Sequence, residues 1–229
     1  MHWNHGFSII GHRGAAGLAP ENTLASFRAA LAHRAAAVEC DLYLVDGELL
    51  VIHDDKLDRT TNGTGRVAST PLNRIRALDA GGGEPPPLIA EVLQTLPTTV
   101  ALNIELKGPQ TAGPTARLIA RLQPRQAVLV SSFDHDELRA FRALDEITPV
   151  GPLYHRGVST TGMIQTAREL QAATINLADR LATAQRIGEI RAEGFGVLVY
   201  TINSPERAAE LRSLGATGVF TDRPDIVLA

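Results

Sequence analysis

Short apolar runs with the period-two character of strands alternate along this chain with longer segments whose apolar positions recur every three or four residues. The first pattern predicts strands over Ser8–Gly11, Val38–Leu44, Thr99–Glu105, Ala127–Ser131, Pro149–Leu153, Thr174–Asn176, Gly196–Thr201 and Gly218–Thr221. The second predicts helices over Thr23–His33, Pro114–Leu122, His135–Leu144, Thr183–Ala192 and Pro205–Leu214. Asp134, Thr183 and Ser204-Pro205 suit helix starts, and Gly194 and Gly215 stand where helices should stop. Eight strand-type runs with helices between them, in 229 residues, predict an α/β fold, a (β/α)8 TIM barrel forming one domain over residues 1–229.

The alternation breaks once. Asp46-Gly47 is a hairpin signal, so the second strand runs past the barrel and folds back through Leu49–His53. A polar stretch, Asp58-Arg59-Thr60-Thr61-Asn62-Gly63-Thr64-Gly65, and a Gly/Pro cluster from Gly81 to Pro87 follow. Residues 44 to about 88 read as a small insertion after strand 2, over the barrel mouth. Hairpin register bears on the site. A three-residue loop, Val45 to Gly47, pairs Leu44 with Glu48, sets Gly47 at positive φ and brings His53 opposite Glu39. A two-residue loop pairs Val45 with Glu48 and sets His53 opposite Cys40, on the other face. The first arrangement is the one expected here.

Composition narrows the classes. Hydrophobic residues at 44% and charged residues at 21% are ordinary for a globular protein. A net charge of −3 argues against nonspecific nucleic-acid binding, so an anion would have to be held by local charges. One cysteine excludes an internal disulfide. No basic start with a long apolar stretch opens the chain, and no run approaches the roughly 18 apolar residues of a membrane span. A cytoplasmic protein is expected.

Chemistry concentrates at the strand ends. Glu39 and Asp41 alternate on one strand face, about 7 Å apart along the backbone, with Cys40 packed on the other. Two carboxylates aimed at one spot repel unless a cation lies between them. Glu105 ends the next strand, with Lys107 two residues on, and His12-Arg13 follow the first strand. Barrel active sites lie at the C-terminal ends of strands, where these groups fall. Oxygen-only ligation by Glu39, Asp41 and Glu105 suits a hard divalent cation, Mg2+ or Ca2+. Arg13 offers a planar fork and Lys107 a point charge for phosphate oxygens. His12 and His53 suit an acid/base pair near neutrality.

Several of these segments form an ordered set. His12-Arg13-Gly14, Pro20-Glu21-Asn22-Thr23, Glu39-x-Asp41, His53-Asp54, the Asp58–Gly65 stretch and Asn103-Ile104-Glu105-Leu106-Lys107 resemble the signature of the glycerophosphodiester phosphodiesterase family. Ser131-Ser132-Phe133, Tyr200-Thr201-Ile202-Asn203 and Phe220-Thr221-Asp222-Arg223-Pro224 carry the likeness to the C-terminus. The resemblance implies a barrel with a small insertion and hydrolysis of glycerophosphodiesters to glycerol 3-phosphate and an alcohol. It implies one divalent cation (Mg2+, Ca2+ or Mn2+) on Glu39, Asp41 and Glu105, catalysis by His12 and His53, and phosphate binding by Arg13 and Lys107. His12 is favoured as base and His53 as acid, with attack by water or first by the glycerol 2-hydroxyl. The substrate is a small molecule; neither nucleic acid nor a membrane span is implied. The chain departs from the family pattern in a segment from Glu39 to His53 one residue shorter than usual, in Tyr200 where Trp is common, and in its Gly- and Pro-rich Gly81–Pro87.

Milder readings accompany other residues. His2, His5 and His33 belong at the surface, and His135 near a helix start is structural. His155 could line the mouth. Glu21 and Asn22 either begin the first helix or orient His12 or Arg13, and Asn203 and Asp222 either fix loops or touch substrate. A barrel that binds phosphorylated ligands without turnover would not need two histidines beside a metal. A phospholipase would call for an exposed apolar rim or a basic membrane face.

Overall fold

The computed structural model describes residues 3–227, so the expectation for His2 lies outside the described residues. Its strands are β1 Ser8–Gly11, β2 Ala37–Val45, β3 Glu48–Val51, β4 Ala101–Leu106, β5 Val128–Ser132, β6 Val150–Tyr154, β7 Thr174–Ala178, β8 Gly196–Tyr200 and β9 Gly218–Thr221. Its helices are α1 Leu24–Ala32, α2 Leu72–Ile75, α3 Ile89–Thr95, α4 Ala112–Leu122, α5 His135–Arg142, α6 Thr160–Glu169, α7 Ala184–Ala192, α8 Pro205–Ser213 and α9 Pro224–Val227. Parallel pairing runs β2-β4-β5-β6-β7-β8-β9-β1, and β1 pairs back to β2, which closes an eight-stranded barrel. β3 lies outside the ring, antiparallel to β2. This is the (β/α)8 architecture expected, with its insertion after the second barrel strand.

Local chemistry sets the helix starts. The side chains of Thr23, Asp134, Ser159, Thr183 and Ser204 each accept a hydrogen bond from a backbone N–H of the first turn. Helices α3 and α6 were not among those predicted. In α6 only Met163 and Ala167 are buried, too sparse a stripe to register as periodicity.

Alternation along the strands separates two environments. Val38, Cys40 and Leu42 of β2 face outward with Leu102, Ile104 and Leu106 of β4, in one cluster with Phe27 and Val92 from the helices. The inward face carries Ile10, Ala37, Ala101, Leu129, Leu198 and Phe220, which pack with Trp3 inside the barrel. Trp3 lies at the N-terminal end of the strands, its carbonyl accepting from Thr217 Oγ1 at 3.1 Å. Farther along, the inward positions turn polar. Glu39 is in register with Asn103, and Asp41 with Glu105. The barrel floor is thus apolar and its C-terminal end acidic.

The hairpin corrects one expectation. Val45 pairs with Glu48 and Leu44 with Leu49, so the loop has two residues, not three. Asp46 and Gly47 both have positive φ (50° and 84°), the type I′ geometry that matches strand twist and favours Asp-Gly. Gly47 is left-handed as expected, but His53 does not pair with Glu39 in the ladder. β3 ends at Val51, the Ile52 N–H donates to the Asp41 carbonyl at 3.0 Å, and the chain leaves the sheet before His53. Departure from the sheet, not ladder register, brings that ring to the carboxylates' side. Beyond the hairpin, Val45, Leu50, Ile52, Leu57, Val67 and Ile75 form a separate small core under the insertion. Among the described residues, no helix is long and apolar enough to cross a membrane.

Candidate active site

Three carboxylates converge at the acidic end. Oxygens of Glu39, Asp41 and Glu105 lie within 4.8 Å of one another, and the three residues are 2%, 1% and 9% exposed. Asp41 accepts from Asn22 Nδ2 at 2.8 Å, and Glu39 from the Arg13 N–H at 2.8 Å. Glu105 accepts from Lys107 Nζ at 2.9 Å. Among the described residues, Glu39 Oε1 is buried with no hydrogen-bond partner. Burial raises the Glu39 carboxyl well above the ordinary range, and Asp41 and Glu105 add to the rise. Burial and Asp41 push Glu105 up to about 7 against the pull of Lys107. Arg13 and Lys107 leave one negative charge of the three uncompensated. An orphaned buried carboxylate oxygen among acidic donors fits a hard divalent cation.

The loop after β1 is shaped for this cluster. Arg13 has φ 51° and Gly14 φ 85°. A Cβ on Gly14 would come within 2.5 Å of Ser26 Oγ and 2.8 Å of the Phe27 nitrogen, so only glycine fits against α1. The turn sends the Arg13 N–H toward Glu39 while its guanidinium meets Glu21 at 2.7 Å and Asp41 at 3.5 Å. Burial lowers the Arg13 pKa, but Asp41, Glu21 and Glu39 outweigh it and hold the guanidinium charged.

Both predicted histidines are pinned through the same ring atom. His12 Nδ1 lies 2.7 Å from Asp222 Oδ1, and His53 Nδ1 lies 2.5 Å from Asp54 Oδ1. With Nδ1 donating to a carboxylate, Nε2 of each ring keeps its lone pair for a proton. Asp222 is itself held by Asn203 Nδ2 at 2.9 Å. Burial pushes the Asp222 carboxyl up, but the contacts with His12 and Asn203 prevail and keep it low. Burial lowers the His53 pKa, opposed by Asp41 and Asp54 and assisted by Arg13 and Lys107.

A cavity of about 280 Å3 joins these groups. His12, Arg13, Glu39, His53, Asn103, Glu105 and Lys107 line one side; Phe133, Leu153, Tyr200, Thr201 and Phe220 line the other. All seven residues singled out in the sequence therefore lie at one end of the barrel, six on this wall and Asp41 buried behind it. Lys107 Nζ stands 5.4 Å from the Phe133 ring centroid, where the two sides meet. Tyr200 is fixed by its hydroxyl, which donates to the Tyr154 carbonyl at 2.8 Å.

Glu21 and Asn22 are not helix caps: Thr23 caps α1, while Glu21 holds Arg13 and Asn22 holds Asp41. Asp222 secures His12 rather than merely a loop. His155 packs edge-on against Phe133 at 5.1 Å, outside the residues lining the cavity. Sequence reasoning missed the pairing of each histidine with its own aspartate. The Asp54 side was adjacent in sequence; the Asp222 side, 210 residues away, carried no local signal.

Comparison with known proteins agrees with this geometry. The model of the glycerophosphoryl diester phosphodiesterase family matches residues 12–226. A glycerophosphodiester phosphodiesterase of Bacillus altitudinis is 32% identical over 95% of this chain and 95% of its own length. One from Bacillus subtilis is 31% identical over 95% of this chain and 84% of its own. The solved structure of an Oleispira antarctica phosphodiesterase, in complex with the product sn-glycerol-3-phosphate, superposes with a TM-score of 0.90 at 31% identity, covering 96% of this chain and 95% of that one. The chain belongs to the glycerophosphoryl diester phosphodiesterase family and is a phosphodiesterase.

Proposed function

We propose that this enzyme hydrolyses glycerophosphodiesters to glycerol 3-phosphate and an alcohol, with a divalent cation on Glu39, Asp41 and Glu105 and proton transfer by His12 and His53. The observation that carries the reading is the orphaned Glu39 oxygen in a buried acidic triad, beside two histidines each anchored at Nδ1. The likeness to a phosphodiesterase solved with its product supports the substrate class.

Arg13 and Lys107 hold the non-bridging phosphoryl oxygens, at the cavity wall they share with the carboxylates. A divalent cation, when bound, would offset the carboxylate charge and polarise the phosphoryl group. His12 Nε2 takes the proton of the attacking oxygen, which belongs to water, or first to the glycerol 2-hydroxyl, in which case water then adds to the cyclic phosphate and the 2-oxygen leaves with a proton. The Asp222 carboxylate stabilises the resulting imidazolium. Protonated His53 gives its Nε2 proton to the departing alcohol oxygen as the P–O bond breaks. Burial disfavours the charged His53 ring, which makes it the readier donor. The aromatic and aliphatic wall takes the carbon skeleton of the substrate.

The test is glycerol 3-phosphate release from glycerophosphocholine and glycerophosphoethanolamine. Metal-stripped protein is assayed with added Mg2+, Ca2+ or Mn2+, beside a Glu39→Ala control. Metal-dependent release that disappears in the control is expected. Ligand binding without release under every metal would instead mark a non-catalytic binder.

A further inference from the structure

The polar stretch from Asp58 to Gly65 has no part in the reaction just described, yet it is tightly built. Thr61 Oγ1 donates to the Leu57 carbonyl at 2.7 Å and accepts from the Gly63 N–H at 3.0 Å. Asp58 accepts from the Gly65 N–H at 3.0 Å, and Asn62 exchanges two bonds with the Asp79 backbone, at 2.9 and 3.0 Å. Asp58, Thr61 and Asn62 thus brace the loop and its neighbouring backbone. The Arg59 side chain instead leaves the loop for the site.

One guanidinium there grips two carboxylates. Arg59 Nε and Nη2 donate to the two oxygens of Asp54 at 2.6 and 2.9 Å. Arg59 Nη1 and Nη2 donate to the two oxygens of Glu21 at 2.7 and 2.9 Å. Asp54 is the partner of His53, and Glu21 is the partner of Arg13. The chain His53, Asp54, Arg59, Glu21, Arg13 therefore runs without a break from a proposed proton carrier to a proposed phosphate ligand. Arg59 is 49% exposed, so its ion pairs are screened and add little to stability. Their geometry is the larger contribution: a planar fork with two bidentate edges can fix both carboxylates at once, and a lysine cannot.

We propose that Arg59 is a positioning residue that couples the insertion to catalysis, fixing the His53 ring through Asp54 and the Arg13 fork through Glu21. The proposal rests on the functional reading above for the roles of those two partners. It assigns to the Asp58–Gly65 stretch the task of presenting a single guanidinium to the site.

The experiment compares Arg59→Ala, Arg59→Lys, Asp54→Asn, Glu21→Gln and the loop control Arg66→Ala, whose ion pair with Asp55 is exposed and away from the cavity. Steady-state kinetics on glycerophosphocholine are joined by NMR titration of the His53 ring, its resonance assigned with His53→Asn. The groups facing that ring are Asp41, Arg13, Asp54 and Lys107. Without Arg59, the Asp54 charge falls wholly on His53, so the ring's pKa should rise by about half a unit or more. Arg59→Lys restores charge but not the fork, so the titration should return toward wild type while turnover stays low. Arg59→Ala should lower kcat about tenfold to a hundredfold and raise KM. Asp54→Asn should act mainly on kcat, Glu21→Gln mainly on KM, and Arg66→Ala on neither. A His53 titration in Arg59→Ala that matches wild type, or a loss of turnover accompanied only by a fall in Tm, would overturn the proposal. If wild type releases no glycerol 3-phosphate, the functional reading fails, and the NMR titration still decides whether Arg59 sets the state of His53.

Discussion

Raising the pH of the metal-free protein from about 5 to about 8 forces charge into the acidic end of the barrel. Burial takes the Glu105 carboxyl from 4.5 to about 7, and Asp41 adds to the rise. A carboxyl whose folded pKa lies above its unfolded one stabilises the fold fully below the unfolded value. That contribution is lost as pH climbs through the folded value. From 4.5 to about 7 the loss is about 3 kcal/mol for Glu105 alone. In a chain of this size it corresponds to a fall in Tm of about 6–12 °C. His53 works in the opposite sense: its pKa is lowered by burial, so its contribution is complete above 6.5 and is lost as pH falls below that value. Glu105→Gln keeps His53 and removes the titration, which makes it the reference. Scanning calorimetry in chelator should show the wild-type Tm falling relative to Glu105→Gln across this window. Cation binding should release protons below about pH 7, measured by titration calorimetry in buffers of different ionisation heat. A wild-type Tm that tracks Glu105→Gln, together with binding that releases no proton, would refute the assignment of Glu105 as a buried ligand.

Three further outcomes follow from the same geometry. His12→Asn and His53→Asn should each lower kcat by about a hundredfold to ten-thousandfold while calorimetry finds cation binding intact. Asn22→Ala leaves a buried Asp41 oxygen without its 2.8 Å donor; it should weaken cation binding and cost about 1–3 kcal/mol in urea unfolding. Cys40 is fully buried and its thiol is pushed up by burial and then by Glu39, Asp41 and Glu105; in folded protein it should resist thiol reagents, and Cys40→Ala should keep wild-type turnover.

How much of this was legible in the chain depended on the range of the interaction. Strand alternation put Glu39 and Asp41 on one face because side-chain direction along a strand is a local property, whereas Glu105 joins them through the β2–β4 register. The barrel followed from the succession of strands and helices. The hairpin register was misread because a catalytic requirement was used to choose a turn, whereas Asp46-Gly47 obeys the twist preference of a two-residue loop. His53 still reached the site, through a departure from the sheet that no periodicity records. Helix α6 was invisible because its buried stripe is only Met163 and Ala167. The partners of His12, Arg13 and Asp41 are side-chain pairings set by the loops between elements. Spacing could suggest Glu21, Asn22 and Asp222 as candidates, but only the folded chain says whom each one holds.

The clasp between His12 and Asp222 spans 210 residues and joins the first barrel strand to the last. The three buried carboxylates all fall between positions 39 and 105 and meet across the adjacent strands β2 and β4. A chain growing from its N-terminus therefore carries the whole acidic cluster long before it has the partner of His12. The clasp itself forms only when β9 docks against β1. Ring closure thereby sets an order: the acidic cluster draws on neighbouring strands near the start of the chain, whereas an anchored His12 ring belongs to the closed barrel alone.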